Sequence, residues 1–449
     1  MVEYDEFYDY KELLRRSYED ELLISPREYC PNCRIKYSEI YDFCPECESK
    51  LVSKETLEYI EKYPEKIKDI LEIDELNKFN STTNSVFNLE DNEVLLILKD
   101  GTNLTSYDDL EYPLDVIFIH EDLSNQTDLK EKYSDFRNAE YIIAKNVTNK
   151  VKSLESMFNP ILNRTELKVK LILGLETWDT SNVTNMELAF FKCGSLTDLK
   201  GVENWDTSNV TNMERMFLLC YSLTNLTELK NWDTSNVTNM YGMFLGCASL
   251  TSLKDLENWD TGNVTNMNSM FWTCYSLINL KGLENWDVKN VENMSFLFSD
   301  CKSLTSLNEL KNWDTGNVTN MYNIFSGCAS LTSFIDLKNW DTGNVTYMGS
   351  MFSNCESLTT LKGVENWDIG NVTSMEAMFY ACKSLTHLEE LENWDTGNVA
   401  NMERMFYNCE SLTTLKGVEN WDTGNLTDMY GIFNGVDSKI LRPKWYKEN

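Results

Sequence analysis

Apolar residues in the second half of the chain recur on a fixed grid. Tryptophan stands at 178, 205, 232, 259, 286, 313, 340, 367, 394 and 421, every interval being 27 residues, and nine cysteines keep the same step from Cys193 to Cys409. An interval held without an insertion makes 27 residues the structural unit. One such unit cannot bury a core alone, so successive units must stack into a solenoid. Within the unit 205–231, Met213, Met216, Phe217, Cys220 and Leu223 fall at i, i+3, i+4, i+7 and i+10, which predicts one apolar face of a short helix. Thr211 with Glu214 predicts a capping box at its start, and Thr184 with Glu187 and Thr373 with Glu376 repeat it. Asp206-Thr-Ser-Asn209 reads as a turn before the helix; in Asp260-Thr-Gly-Asn263 and other units glycine eases that turn. Leu223, Leu226 and Leu229, spaced by three, predict a short strand after it. Strands would stack at about 4.8 Å and helices at about 10 Å. The mismatch predicts a curved array of about ten coils with strands on the concave side.

The spacing of those leucines is the rhythm of leucine-rich repeats. The recurring string N-W-D-T-S-N-V-T-N-M-x-x-M-F-x-x-C-x-S-L-T-x-L resembles the BspA-like leucine-rich-repeat surface proteins, over roughly 146–434. The resemblance implies an α/β repeat fold, a curved leucine-rich-repeat-type solenoid. In exported members it implies adhesion or the binding of protein ligands. Both ends of the array read as caps. Val151, Leu154, Met157 and Phe158 mimic Val210, Met213, Met216 and Phe217, so 146–177 is expected to be a degenerate capping repeat before the solenoid at 178–434. Residues 435–449 are expected to form a C-terminal cap or tail.

The N-terminal third has a different pattern. Residues 1–24 read as an acidic helix. Cys30-Pro-Asn-Cys33 and Cys44-Pro-Glu-Cys47 form two knuckles separated by ten residues. Four thiolates at this spacing predict a tetrahedral zinc ribbon over 25–52, with Cys30, Cys33, Cys44 and Cys47 holding one structural Zn²⁺. Iron in a rubredoxin-like site, or thiols without metal, are the alternatives. Residues 53–145 read as a lead-in, helical over 54–79 and then α/β. Strands are expected at 93–98, 114–119 and 140–144 and a helix at 128–137.

Composition narrows the function. The chain has 449 residues, 42% hydrophobic and 25% charged, with a formal net charge of −32. That acidity argues against nucleic acid, whose phosphates need clustered Lys and Arg. No apolar run approaches the roughly 20 residues that span a bilayer, and the acidic start lacks the order of a signal peptide. The expectation is a cytoplasmic protein without membrane insertion; the alternative is a cell-surface, adhesin-like protein exported by an unrecognised route.

Catalytic readings are weak. Asp-Thr-Gly at 260, 314, 341, 395 and 422 matches the triplet of aspartic proteases, but a ladder at equal spacing cannot converge on one cleft as a dyad must. The favoured reading makes each Asp a turn cap, with Ca²⁺ between coils as the alternative. The nine gridded cysteines are expected to be buried, inert thiols, and the gridded tryptophans core. His387 shares a column with Asn225, Ser252 and Thr360 and is expected at the surface. The reading is a non-enzymatic scaffold for a protein ligand. Tyr221, Trp272 and Tyr275 are the candidate partner-binding patch, taken as aromatics exposed on the helix exterior.

Overall fold

The computed structural model describes residues 94–98, 103–104, 116–123, 126–127, 129, 132, 141–145, 147–158 and 168–447. The chain divides into two compact units, residues 1–90 with 97–103 and residues 91–96 with 104–449. The four knuckle cysteines, the acidic helix and the helices expected over 54–79 lie outside the described residues, as does the helix expected at 128–137 apart from Leu129 and Lys132.

Five strands are described: β1 (Val94–Leu98), β2 (Asn103–Leu104), β3 (Val116–Asp122), β4 (Tyr141–Lys145) and β5 (Leu171–Leu173). β1, β3 and β4 fall where the apolar runs predicted them, within three residues at each end. β3 pairs parallel with β4, Phe118 opposite Tyr141, and β4 pairs parallel with β5, Tyr141 opposite Leu171. Ile142, Ala144 and Ile172 are buried. The carbonyl of Ala144 accepts the indole N–H of Trp178 at 2.8 Å, so the sheet passes directly into the first coil of the array.

The array is a repeat solenoid. Parallel bridges step through Ser153, Asn185, Asn212, Asn239, Asn266, Asn293, Asn320, Tyr347, Ser374, Asn401 and Asp428. From Asn185 onward each step is 27 residues. Two elements expected within the coil are not present. The helix predicted over 213–223 does not form, and among the described residues there is no α-helix. Instead the segment alternates between two bonding modes. Met213, Arg215, Phe217 and Leu219 donate their N–H groups to the next coil, at Asn239, Tyr241, Met243 and Leu245; Met216, Leu218 and Cys220 close turns on Met213, Arg215 and Phe217. A left-handed residue interrupts every fourth position, Arg215 at φ 53° and Leu219 at φ 63°, and later coils repeat the pair at Ser269 and Thr273 and at Ala377 and Ala381.

Spacing explains why the helix loses. The phenylalanine column from Phe158 to Phe433 stacks with ring centroids 5.2–6.1 Å apart and stacked tryptophans such as Trp178–Trp205 and Trp259–Trp286 lie 5.5–6.3 Å apart, so these coils keep nearly one rise. Helices, about 10 Å across, cannot be layered at that rise. Two left-handed residues cost about 1–2 kcal/mol each. Against this, each coil before the last buries its Trp, Val, Met, Phe and Leu columns almost completely, at about 1.5–3 kcal/mol per side chain. Burial therefore outweighs the strain several-fold. The i, i+3, i+4 pattern reflects the four-residue turn spiral, whose period is close to helical.

The leucine segment also differs from expectation. Leu229, Leu256, Leu310, Leu337 and Leu391 close short 3₁₀ turns. Three residues per turn is the physical source of the three-residue leucine spacing. Inter-coil pairing and the tight turn have thus exchanged places relative to the sequence reading, and the strand–helix mismatch that implied curvature is absent.

Both ends are capped. Val151, Leu154, Met157 and Phe158 are buried, and Phe158 stacks on Phe190 at 5.5 Å. At the other end Trp445 stacks on Trp421 at 6.3 Å and donates to the Val418 carbonyl at 2.7 Å. Trp421 donates to Leu391 and Trp394 to Val364, so Val418 is the next acceptor in that series. Trp445 therefore fills the next tryptophan position after Trp421, three residues early.

Candidate functional site

The repeated polar residues are consumed in holding coils together. Each gridded indole N–H reaches back to a carbonyl, as Trp205 to Leu175 and Trp313 to Leu283, both at 3.0 Å. Thr207 donates forward to the Asp233 carbonyl at 2.9 Å, and Thr342 forward to Asp368 at 2.8 Å. Asn209 donates back to the Ser181 carbonyl and Asn344 back to that of Gly316. Asp206 caps its own turn, accepting from the N–H and hydroxyl of Ser208, and Asp260 accepts from the N–H of Gly262 at 2.9 Å. The Asp-Thr-Gly triplets are therefore turn caps followed by inter-coil straps, with no pair of carboxylates facing across a cleft.

The thiols are structural. Each from Cys220 to Cys409 donates its S–H to a phenylalanine carbonyl one coil back, Cys409 to Phe379 at 3.1 Å. Burial pushes ionisation upward at Cys193 and at each thiol from Cys247 to Cys409, that of Cys409 to about 12 and that of Cys193 higher still. A thiol held protonated is neither a nucleophile nor a metal ligand at neutral pH.

The expected aromatic patch is not an exposed patch. Trp272 is 2% exposed and Tyr221 8%. Trp272 packs against Phe296 with centroids 4.9 Å apart and points its indole N–H at Asp300. Tyr275 is half-buried, with the Lys302 amine 4.3 Å from its ring. The helix exterior that was to present them does not exist. The turn spiral folds these side chains against neighbouring coils.

What the coils do expose is carboxylate. The turn aspartates Asp179, Asp206, Asp233, Asp260, Asp314, Asp341, Asp368, Asp395 and Asp422 are exposed and Asp287 half-buried, making one acidic column along the array. Hydrogen bonds from Ser235 hold the Asp233 carboxyl below its usual range. A second column begins at Glu155, Glu187 and Glu214; burial first, then the charges of Glu214 and Glu155, pushes Glu187 up. Glu376 behaves alike, through burial and then Glu403. A third column lies four residues before each Trp: Glu228, Asp255, Glu309, Asp336 and Glu390, interspersed with Gly201, Gly282, Gly363 and Gly417. Glu309 is 7% exposed, and burial pushes Glu228 up. The sequence signal for this column is K-G-[V/L]-E-N-W at 200–205, 281–286, 362–367 and 416–421. Its glycines sit at φ near 105°, where a Cβ on Gly282 would meet the Leu253 carbonyl oxygen.

A family model described as "Mycoplasma protein of unknown function, DUF285" matches residues 127–225, 189–280, 275–387 and 356–440. The chain belongs to this family. The overlapping matches follow the array from β4 to the C-terminal cap. No curated protein matches the chain. Two solved structures are similar. A leucine-rich repeat protein from Eubacterium ventriosum ATCC 27560 is 14% identical, covering 70% of this chain and 80% of its own, with a TM-score of 0.33. A leucine rich cell surface protein from Faecalibacterium prausnitzii A2-165 is 17% identical, covering 66% and 81%, with a TM-score of 0.26. Among the described residues no helix is long and apolar enough to cross a membrane.

Proposed function

We propose that the chain is a non-enzymatic scaffold whose leucine-rich-type solenoid, of about ten coils, binds a protein with a basic surface. One observation carries the reading: the repeat spends its polar groups on inter-coil bonds and leaves the turn aspartates in an exposed file. Like charges one coil apart repel, and a partner's Lys and Arg relieve that repulsion, so attraction builds along the file. The test is titration with an oligolysine peptide at low and high salt. Binding should weaken with salt and fall sharply in a variant with Asp314, Asp341, Asp368 and Asp395 all changed to Asn. An Asn side chain still accepts the turn N–H, so the coils are retained. Equal binding by that variant refutes the reading.

A structural zinc ribbon on Cys30, Cys33, Cys44 and Cys47 is part of the same proposal, supported by the knuckle spacing. Loss of one equivalent of zinc in a Cys30→Ser, Cys47→Ser double variant tests it. Where the scaffold works is open to a second reading, the cell surface, the place that the Faecalibacterium protein's name gives for that protein. Cell fractionation with protease shaving of intact cells separates the surface from the cytoplasm.

A further inference from the structure

One coil departs from the repeat in two ways at once. The position that is Ser, Thr, Asn or Asp in other coils is His387, and the position that is lysine in both neighbouring coils, at Lys362 and Lys416, is Glu389. Glu390 follows, and the third acidic column is glycine on both sides of it, at Gly363 and Gly417, as for no other acid of that column. No side chain of the adjacent coils at this position crowds it. A Cβ at Gly417 would lie 2.9 Å from the Glu389 Cα, so the next coil seats directly against this turn.

The three side chains converge. One ligand atom from each of His387, Glu389 and Glu390 lies within 4.8 Å of the others. The Glu390 side chain is only 12% exposed, and its Oε1 is 3.5 Å from His387 Nε2. Thr360, one coil back, donates to Glu390 Oε1 at 3.1 Å. Oε2 of Glu389 and Oε2 of Glu390 are both shielded from solvent and have no hydrogen-bond partner. Orphaned carboxylate oxygens on two adjacent residues are costly unless a cation or water satisfies them.

The imidazole is set for the same ion. The Thr386 hydroxyl donates to the Thr359 carbonyl at 3.3 Å, and its oxygen lies 2.8 Å from His387 Nδ1, placed to accept from an Nδ1–H. In the tautomer with the proton on Nδ1, Nε2, 3.5 Å from Glu390 Oε1, is the nitrogen left to bind an ion. A histidine bound through one nitrogen and anchored through the other is the usual arrangement at a metal. We infer that His387 Nε2, Glu389 and Glu390 form a binding site for a divalent transition-metal ion, with Zn²⁺ as the probe. One imidazole and two carboxylates suit such an ion at about 2.0–2.2 Å after small side-chain adjustments, with water completing the shell. The site is independent of the four-thiolate module and of the proposed binding function.

The chain has only two histidines, His120 and His387, and this makes the test direct. The full chain is labelled with ¹⁵N-histidine and titrated with Zn²⁺ beyond the equivalent taken by the thiolates, and a His120→Asn variant assigns the imidazole signals. The expected result is a saturable shift of the His387 Nε2 resonance at one further equivalent. It should be weakened at least about 100-fold in a Glu389→Gln, Glu390→Gln variant whose tryptophan emission matches the parent. An unmoved His387 signal overturns the proposal. So does an equal shift in the double variant, which would mark a surface imidazole binding zinc by itself. A His387 signal already carrying both protons at neutral pH and insensitive to zinc would show an ion pair with Glu390 and overturn it too.

Discussion

An Ala–Gly exchange at the left-handed positions separates the turn spiral from a helix by the sign of its effect. Gly246 has φ 79° and donates its N–H to the Trp272 carbonyl at 2.8 Å, and Ala377 has φ 52° and donates to Glu403 at 2.7 Å. In a helix, Gly246→Ala would stabilise by about 1 kcal/mol and Ala377→Gly would destabilise by the same amount. In the spiral the signs reverse. Alanine at position 246 takes on about 1–2 kcal/mol of left-handed strain, and its Cβ would lie 2.6 Å from a methyl of Leu219 and 3.2 Å from the Leu219 Cα. The smaller entropy of the unfolded alanine chain returns about 0.4–1 kcal/mol, leaving a net loss near 1 kcal/mol. Glycine at position 377 releases the same strain and surrenders the same entropy, so it should be neutral or stabilising by up to about 1 kcal/mol. Equilibrium urea unfolding followed by tryptophan emission reads the global change. Hydrogen exchange at Leu219, whose N–H bonds to Leu245, reads the local one. A more stable Gly246→Ala chain together with a less stable Ala377→Gly chain would refute the spiral.

Three further outcomes follow from the same geometry. Once the N-terminal cysteines have been modified, the nine gridded thiols, buried and with their ionisation pushed up or bonded to carbonyls, should stay unreactive to a disulfide reagent at pH 8 and react together only on unfolding; gradual native-state labelling would contradict this. Glu187, Glu228 and Glu376 titrate above their usual range when folded, so the folded chain binds more protons than the unfolded one just above that range, and stability should rise as pH is lowered from neutral toward about 5. It should fall again below about pH 4, where the turn cap Asp233, held low when folded, is protonated; a melting temperature that falls steadily from pH 7 to 5 would show the burial of those glutamates to be unimportant. Trp445→Ala should lower hydrogen-exchange protection at Met402, Arg404, Phe406 and Asn408, whose N–H groups bond to the last coil, and leave Met294 and Phe298 unchanged; uniform loss along the array would mean the cap acts on the whole solenoid.

Repeat length, burial of the tryptophan and cysteine columns and turn-capping aspartates were all legible, because each is a statement about which positions recur. What recurrence does not carry is the path between positions. Met213, Met216, Phe217 and Cys220 satisfy a helix and a four-residue turn spiral equally well, since 3.6 and 4 diverge by less than half a residue per turn. The deciding fact was the common rise, and one sequence clue to it was present: Gly242 and Gly246, Gly431 and Gly435 stand four apart, at the positions the structure shows to be left-handed. Glycine is a poor helix residue and an easy left-handed one, so glycine tolerated at those two phases argued against a helix all along. Tyr221 and Trp272 were misplaced for the same reason: a helix has an outside, whereas a stacked spiral encloses most of its large side chains. The metal-ligating trio was hidden differently. Within its own column His387 is a lone polar variant that means little, and only the 3₁₀ turn at Glu389–Leu391 brings its partners in adjacent columns beside it. In a repeat protein the informative residue is the one that breaks its column, and its meaning depends on whether the neighbouring columns break in the same coil.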